Sequence, residues 1–373
     1  MTHIQDWLHN CIRCGNCKYV FRQYDDSCPS GRQFHFESYF ASGRIALARA
    51  LMTGELEWDK SLLDPIFACT ACGSCETQCP APHREHIVDI IEELRAEAVT
   101  AIGPLAEHSR FKENIVQHHN PYGAEHHARN LSEQLGLPDK AKAVFFVGCT
   151  SNYRETAIKD ATLSVLKKTG VDFTIVDEYC CGSPLLRTGQ RTEAHTLAEH
   201  NARVLSESGA TSVITACSGC YRTLAKDYPE LGVRLQANVV HTSQLVDQLL
   251  RTGLLKVNSA SAVGVTYHDP CHLGRHCDVY DAPRNVLRML GYKLHEMELN
   301  RENAWCCGAG GGVKSAYPEW SVKTGSERIA QARTTGADTL VSACPFCKRN
   351  LTEAAGESMK IVDIMELVDS RTV

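Results

Sequence analysis

The hydrophobic rhythm of the chain changes twice. In the first hundred residues it is helical. Arg44-Ile45-Ala46-Leu47-Ala48-Arg49-Ala50-Leu51-Met52 is rich in strong helix formers and meets a stop at Gly54. Residues 85–99 put Ile87, Ile90, Ile91 and Leu94 on one helical face. Between Gly103 and Lys140 no long period holds, and Pro104, Pro121 and Pro138 interrupt the stretch. It reads as a linker, partly helical from Ala124 to Leu135. From Lys142 onward, short apolar runs alternate with helical segments. Ala143-Val144-Phe145-Phe146-Val147 has the character of a buried strand. A helix over 155–168, stopped at Gly170, leads to a strand at Phe173-Thr174-Ile175-Val176. A helix over 193–207 then leads to a strand at Ser212-Val213-Ile214-Thr215-Ala216, and another helix starts near Tyr221.

The same order then returns. Val263-Gly264-Val265-Thr266-Tyr267 is a strand, 284–290 a helix, and Tyr292-Lys293-Leu294 a strand. A helix over 326–334 precedes a strand at Thr339-Leu340-Val341-Ser342-Ala343. The pattern predicts a duplicated α/β unit with pseudo-two-fold symmetry behind a helical domain. The expected division is a helical domain over 1–103, a linker over 104–140, a first α/β repeat over 141–258 and a second over 259–373.

Composition alters this picture at one residue type. The 373 residues carry a net charge of −5 with both signs mixed, so nothing points to nucleic acid or to a membrane surface. No apolar run reaches the ~18 residues of a membrane-spanning helix. Met1-Thr2-His3-Ile4-Gln5-Asp6 lacks the basic and apolar regions of a signal peptide. A cytoplasmic location is expected, with any membrane association made through a partner. Cysteine is the anomaly: there are 19, tightly clustered, in a chain too long to need disulfide staples. In a reducing compartment that pattern argues for metal.

Cys11-x-x-Cys14-x-x-Cys17 is followed by Cys28-Pro29, and Cys69-x-x-Cys72-x-x-Cys75-x-x-x-Cys79-Pro80 is a full bacterial ferredoxin run. Three thiolates at this spacing wrap backbone around one face of a [4Fe–4S] cube. Zinc also takes Cys-x-x-Cys, but a tetrahedral ion needs neither the third cysteine nor the proline. In two-cluster ferredoxins the fourth ligand is swapped between halves. On that pattern Cys11, Cys14, Cys17 and Cys79 hold one cluster, and Cys69, Cys72, Cys75 and Cys28 the other. The helices between the runs make this an α-helical ferredoxin domain. The histidines of the linker (His118, His119, His126, His127) read as solvated or locally bonded, with metal ligation as the sharper alternative.

The repeats carry five cysteines each. Cys149, Cys180-Cys181-Gly182 and Cys217-x-x-Cys220 form the first set. Cys271, Cys306-Cys307-Gly308 and Cys344-x-x-Cys347 form the second. Matching cysteines lie 122 (Cys149 to Cys271), 126 (Cys180 to Cys306) and 127 residues (Cys217 to Cys344) apart. All sit at carboxyl ends of predicted strands, where open α/β sheets place ligands. Adjacent cysteines point to opposite faces of an extended strand, so the backbone must turn to aim both at one object. The glycines that follow, including Gly310-Gly311-Gly312, permit that. A cubane with a spare thiol, a zinc ion, an opened or larger iron–sulfur cluster and a redox Cys-x-x-Cys all remain open. The vicinal pair favours the opened cluster, because two adjacent thiolates reach neighbouring irons. Cys277 belongs to neither set and reads as a spare buried thiol.

These motifs, with His268-Asp269-Pro270-Cys271-His272-Leu273-Gly274-Arg275, resemble the cysteine-rich (CCG) domains of the heterodisulfide reductase family. Fusion to a helical two-cluster ferredoxin resembles the D-type component of that family, which joins what are elsewhere separate C-type and B-type components. The resemblance covers nearly the whole chain. It implies two cubane [4Fe–4S] clusters and two noncubane [4Fe–4S] clusters. It implies other redox subunits as partners, a flavoprotein or iron–sulfur donor or acceptor among them. It also implies an oxidoreductase that splits a disulfide with one electron from each noncubane cluster, or runs in reverse. The alternative is a pure electron-transfer subunit, as in lactate or glycolate oxidases or a class II benzoyl-CoA reductase complex. His268, His272 and His276 flank Cys271, and Lys348 follows Cys347. They are the nearest candidates for supplying protons or stabilising thiolates. The blander reading of each, a bond to a carbonyl or a cluster sulfur, stays open.

Overall fold

The computed structural model describes residues 4–20, 25–126, 128–258 and 263–373. The N-terminal part is a set of short helices hung around the two cysteine runs. Its core is the contact of helix Ala41–Met52 with helix Ile87–Ile102. Ala41, Ile45 and Ala48 meet Ile87, Ile90, Ile91, Leu94 and Ala98, and Leu8, Ile66 and Phe67 close the ends. Cys17 and Cys79 are part of the same apolar cluster, so the ligand loops are packed rather than appended.

Two four-stranded parallel sheets follow. The first holds β1 (Ala143–Phe145), β2 (Phe173–Thr174), β3 (Ser212–Thr215) and β4 (Asn238–His241), in the order β2-β1-β3-β4. The second holds β5 (Gly264–Tyr267), β6 (Lys293–Leu294), β7 (Thr339–Ser342) and β8 (Lys360–Asp363), in the order β6-β5-β7-β8. In each sheet the chain steps outward from its first strand, then returns to that strand's other side. The carboxyl ends of β1 and β3, and of β5 and β7, therefore flank a switch point where a crevice opens. Cys149 and Cys217 follow β1 and β3; Cys271 and Cys344 follow β5 and β7.

The outer strands β4 and β8 have no counterpart in the predicted elements. Each carries only two consecutive apolar residues, Val239-Val240 and Ile361-Val362, too few for a strand signal. Each ends on a residue that caps the next helix with a reciprocal box: His241 with Gln244, and Asp363 with Glu366.

The two halves share one core. Ala161, Val165, Val246 and Leu249 of the first pack with Val265, Val286, Leu287 and Val368 of the second. Helix Thr156–Lys168 packs on helix Ile364–Arg371, and helix Thr242–Arg251 on helix Asp281–Met289. Each contact pairs the helix after one half's first strand with the helix after the other half's last, as a two-fold relation requires.

Residues 104–140 are more than a connector. Helix Ala106–His118 lies on the first half, with Phe111 and Ile115 set among Leu185, Leu186, Ala194 and Leu197. Its two deep apolar anchors are too sparse to announce a period. The helix predicted near 124–135 is Ala128–Gln134. The expected boundary at 258/259 abuts residues 259–262, outside the described residues.

Arg95 ties the three parts together. It is fully buried, and its five N–H groups donate to five carbonyls. These are Ile66, Phe67 and Cys69 of the cluster domain, Arg187 of the first half and Gly311 of the second, at 2.6–3.2 Å.

Candidate metal centres

The two N-terminal cysteine runs take the same backbone path. Arg13 and Ala71, each two residues after the first cysteine, are left-handed (φ 57° and 50°), as are Gly15 and Gly73 (φ 82° and 74°). Left-handed backbone is costly for a residue with a side chain. Here it curls each loop so that its three sulfurs converge. One cavity is lined by Cys11, Cys14, Cys17 and Cys79, together with Ala41, Ser42, Ile45 and His83. A second is lined by Cys28, Cys69, Cys72 and Cys75. Cys28 reaches it by capping helix Pro29–Phe34, where Gly31 N–H donates to its Sγ at 3.5 Å. The Ala71 amide likewise donates to Cys69 Sγ at 3.4 Å.

Burial pushes the Cys28 thiol up to about 11, and it raises Cys17 and Cys79 as well. These sites disfavour bare thiolates and so call for a cation to share their charge. Four thiols around one apolar cavity, with amides aimed at sulfur, fit an iron–sulfur cluster.

In the α/β halves the sulfurs form a continuous chain. Cys180 contacts Cys149 and Cys181, and Cys181 contacts Cys220, which contacts Cys217. In the second half Cys306 contacts Cys271 and Cys307, and Cys307 contacts Cys347, which contacts Cys344. The two sets meet where Cys217 touches Cys344. Ser218 reinforces this seam by donating to the Ala343 carbonyl at 2.7 Å. The second set also touches the N-terminal domain, through Cys306 and Cys72.

Gly182 and Gly308 are left-handed (φ 88° and 91°) and turn each vicinal pair, as expected. Gly310-Gly311-Gly312 has a different task. A Cβ on Gly311 would lie 2.2 Å from the Cys69 carbonyl, and one on Gly310 2.7 Å from that of Thr70. The run lets the second half press directly on the N-terminal ligand loop.

The candidate proton donors differ in placement. His268 is buried; its Nδ1 accepts from Arg328 Nε at 3.2 Å, and its ring faces Cys307 and Cys347, with the ligand atoms within 4.8 Å of one another. His272 lies at the seam, 3.5 Å from the Arg222 guanidinium, and burial with that charge pushes it down to about 3. His276 bonds the Ala71 carbonyl at 3.0 Å. Lys348 is held between Glu155 of the first half (3.1 Å) and Glu366 of the second (2.6 Å), so its ammonium is already engaged. Cys277 joins neither chain of sulfurs, and burial pushes it up to about 11.

Sequence reasoning passed over the mouth of the first set. Tyr179 is sandwiched between His119 and His200 at 3.5 Å on either side. His126 contacts Asp177 at 2.7 Å. His119 and His126 line a cavity with Cys149, Cys180, Glu178 and Tyr179. The aromatic residue directly before each Cys-Cys-Gly, Tyr179 or Trp305, was the available signal. Of the linker histidines, His127 lies outside the described residues.

Known proteins match this layout. Residues 7–82 match the 4Fe-4S dicluster domain, and residues 143–225 and 265–352 each match the cysteine-rich domain, CCG. The D subunit of the dihydromethanophenazine:CoB–CoM heterodisulfide reductase of Methanosarcina barkeri is 38% identical over 97% of this chain and 93% of its own length. The chain belongs to the family of heterodisulfide reductase D subunits.

Within that family it is an iron–sulfur oxidoreductase component, and its relatives are subunits of redox complexes. The B subunit of the fumarate reductase (CoM/CoB) of Methanothermobacter marburgensis is 36% identical over 82% of this chain and 61% of its own length. EtfAB:quinone oxidoreductase of Syntrophomonas wolfei is 29% identical, over 97% of this chain and 58% of its own length. A hypothetical protein from Helicobacter pylori shares the fold, with a TM-score of 0.59 at 10% identity over 87% of this chain and 66% of that one. Among the described residues no helix is long and apolar enough to cross a membrane.

Proposed function

We propose that the chain carries electrons between a redox partner and a disulfide/thiol couple. Cys11, Cys14, Cys17 and Cys79 would hold one cubane cluster, and Cys28, Cys69, Cys72 and Cys75 a second. Cys149, Cys180, Cys181, Cys217 and Cys220 would hold a noncubane cluster, and Cys271, Cys306, Cys307, Cys344 and Cys347 another. When bound, these clusters supply one-electron redox chemistry. The observation that supports the reading is the sulfur contact sequence: Cys72 to Cys306, through the second set to Cys344, then Cys217 and the first set. It joins three of the four sites without a gap of protein between them.

The outer site opens at Cys14, which is exposed, beside Ile12 at 75% exposure. A partner with its own redox cofactor docks there in this reading, and any membrane attachment comes through such a partner. Cleavage of R–S–S–R′ takes two electrons and two protons and yields RSH and R′SH. Clusters held by the two sets, which meet at Cys217 and Cys344, would supply one electron each, so that no free thiyl radical need be released. His272, at that seam and held neutral by burial beside Arg222, is placed to hydrogen-bond a departing thiolate, while the two protons come from solvent. His268 is packed behind Cys307, away from that position.

The test is an anaerobic count of iron and acid-labile sulfide, with low-temperature paramagnetic resonance on oxidised protein with and without a thiol. About sixteen irons per chain and a new signal on adding thiol are expected. The same count without a thiol response would leave an electron-transfer subunit that feeds another enzyme. About eight irons with zinc would remove the redox role of the α/β halves.

A further inference from the structure

The two five-cysteine sets share a ligand geometry but not their surroundings. Three matched positions differ in charge. His268, three residues before Cys271, replaces Phe146, three before Cys149. Arg328 of helix Pro318–Arg333 replaces Asn201 of helix Arg191–Glu207, 127 residues earlier and at the same turn. Ala304 stands where the first half has Glu178, a buried carboxyl that accepts the Val147 and Gly148 amides at 3.0 and 2.7 Å.

The second site is thus backed by a cation, and the first by a carboxyl that burial pushes up to about 8. Arg328 is fully buried and gives its Nε–H to His268 Nδ1. Because Nδ1 accepts, the ring proton sits on Nε2, which has no other partner and faces Cys307 and Cys347. Arg275 adds a second buried guanidinium near Cys271 and Cys306. Arg284, the third, is matched by Asp269 and Glu296. At the first site Arg187 and Arg222 are matched by Asp227 and Glu92, which leaves no spare cation there. Asn201 there offers only an amide, spent on the Tyr179 and Cys180 carbonyls and the Tyr228 hydroxyl.

We infer that His268 and Arg328 are a positioning pair that sets the second cysteine set at a higher reduction potential than the first. An N–H donor on a ligand sulfur and a buried positive charge both favour the reduced, more negative state of a metal–thiolate site. The first set has neither this histidine donor nor a spare cation. The second set also touches Cys72, so the site nearest the N-terminal clusters is the one that fills first and stays filled. The first set, at the His119–Tyr179–His200 mouth, receives its electron last and releases it most readily. The inference rests on the cluster assignment proposed above.

The test is an anaerobic redox titration of the full, cluster-loaded chain, followed by paramagnetic resonance and Mössbauer spectroscopy. Cys181→Ser and Cys307→Ser assign the signals of the first and second sets. In the unsubstituted protein the second-set signal should reduce first. His268→Phe and Arg328→Asn copy the first half. Each should lower the second-set reduction equilibrium at least tenfold, about 59 mV for a one-electron couple, and leave the other signals in place. Arg328→Lys should recover most of the shift. Should His268→Phe lose second-half iron, Arg328→Asn carries the measurement with the second set loaded. Coincident or reversed potentials in the unsubstituted chain would overturn the inference. So would a full iron count with no shift in His268→Phe or in Arg328→Asn. A second half that binds no iron in the unsubstituted protein would overturn the cluster assignment and the inference together, and the iron count alone reveals it.

Discussion

The first and second α/β halves have the same strand order and the same five cysteines, yet they face different neighbours. The first opens toward solvent through a histidine–tyrosine stack. The second is covered by the N-terminal domain, with Gly310 and Gly311 pressed against Cys69 and Thr70 and Cys306 against Cys72. The two halves keep the same cysteines, the proposed ligands, while the residues behind them differ. In the proposed reading the second half is the inlet and the first the outlet.

The strongest way to break this comparison is to remove one ligand from each half. Cys181→Ser and Cys307→Ser should each cost about four irons. Their electron transfer should differ. With Cys181→Ser, freeze-quenched samples mixed with a reductant should still show electrons reaching the second set. With Cys307→Ser the first set should stay oxidised, because its only sulfur contact with the rest of the chain, among the described residues, runs through Cys344. Equal filling of the surviving set in both variants would show that the first half has its own inlet.

Arg95 is the joint on which the asymmetry depends, since one side chain serves carbonyls from all three parts of the chain. Arg95→Met keeps the volume of the stem and strands five buried acceptors. A loss of about 4 kcal/mol in denaturant unfolding is expected, with release of the N-terminal domain from the second half before the halves themselves separate. A loss below about 1 kcal/mol would mean that water or neighbouring amides replace it.

The cysteine spacings stand out because metal ligation, the role proposed for them, calls for short, regular intervals that survive in one dimension. The central strands were legible for a related reason: covered on both faces, they read as unbroken apolar runs. What stayed hidden depends on distant partners. Arg95 looked like one more charge on an amphipathic helix, Ile87–Ile102. Phe111 and Ile115 do not make a period by themselves. Gly310-Gly311-Gly312 reads locally as freedom to turn, whereas its use is close approach to a backbone some 240 residues away in sequence. Strands β4 and β8 are half-exposed edges, where two apolar residues suffice.

His108 offers a titratable probe of the same joint. Its helix rests on the first half, while its Nε2 bonds the Gly312 carbonyl of the second at 3.1 Å. Burial pushes it down to about 4, against an unfolded value of about 6.5. The folded state therefore keeps the ring neutral, and the unfolded chain takes the proton first. Stability from this residue is intact above pH ~6.5 and falls as pH drops through the window to about 4, by about 3 kcal/mol in all. His108→Gln should flatten that stretch of the stability curve relative to the unsubstituted protein. Parallel curves for the two proteins would place the acid sensitivity elsewhere.

The smallest expected effect is the sharpest check on where the sites end. Cys277 follows Cys271 by six residues and is partly buried, as several of the proposed ligands are, yet it contacts neither sulfur chain. Burial raises its thiol, outweighing the nearby Lys226, Arg222 and Arg187. Cys277→Ser should leave iron and sulfide unchanged, with stability altered by less than about 1 kcal/mol, because a small polar atom replaces a buried sulfur of similar size. A fall of even one cluster's worth of iron would make Cys277 a ligand of the second half. The five-for-five match between the halves would then be a coincidence of sequence rather than of coordination.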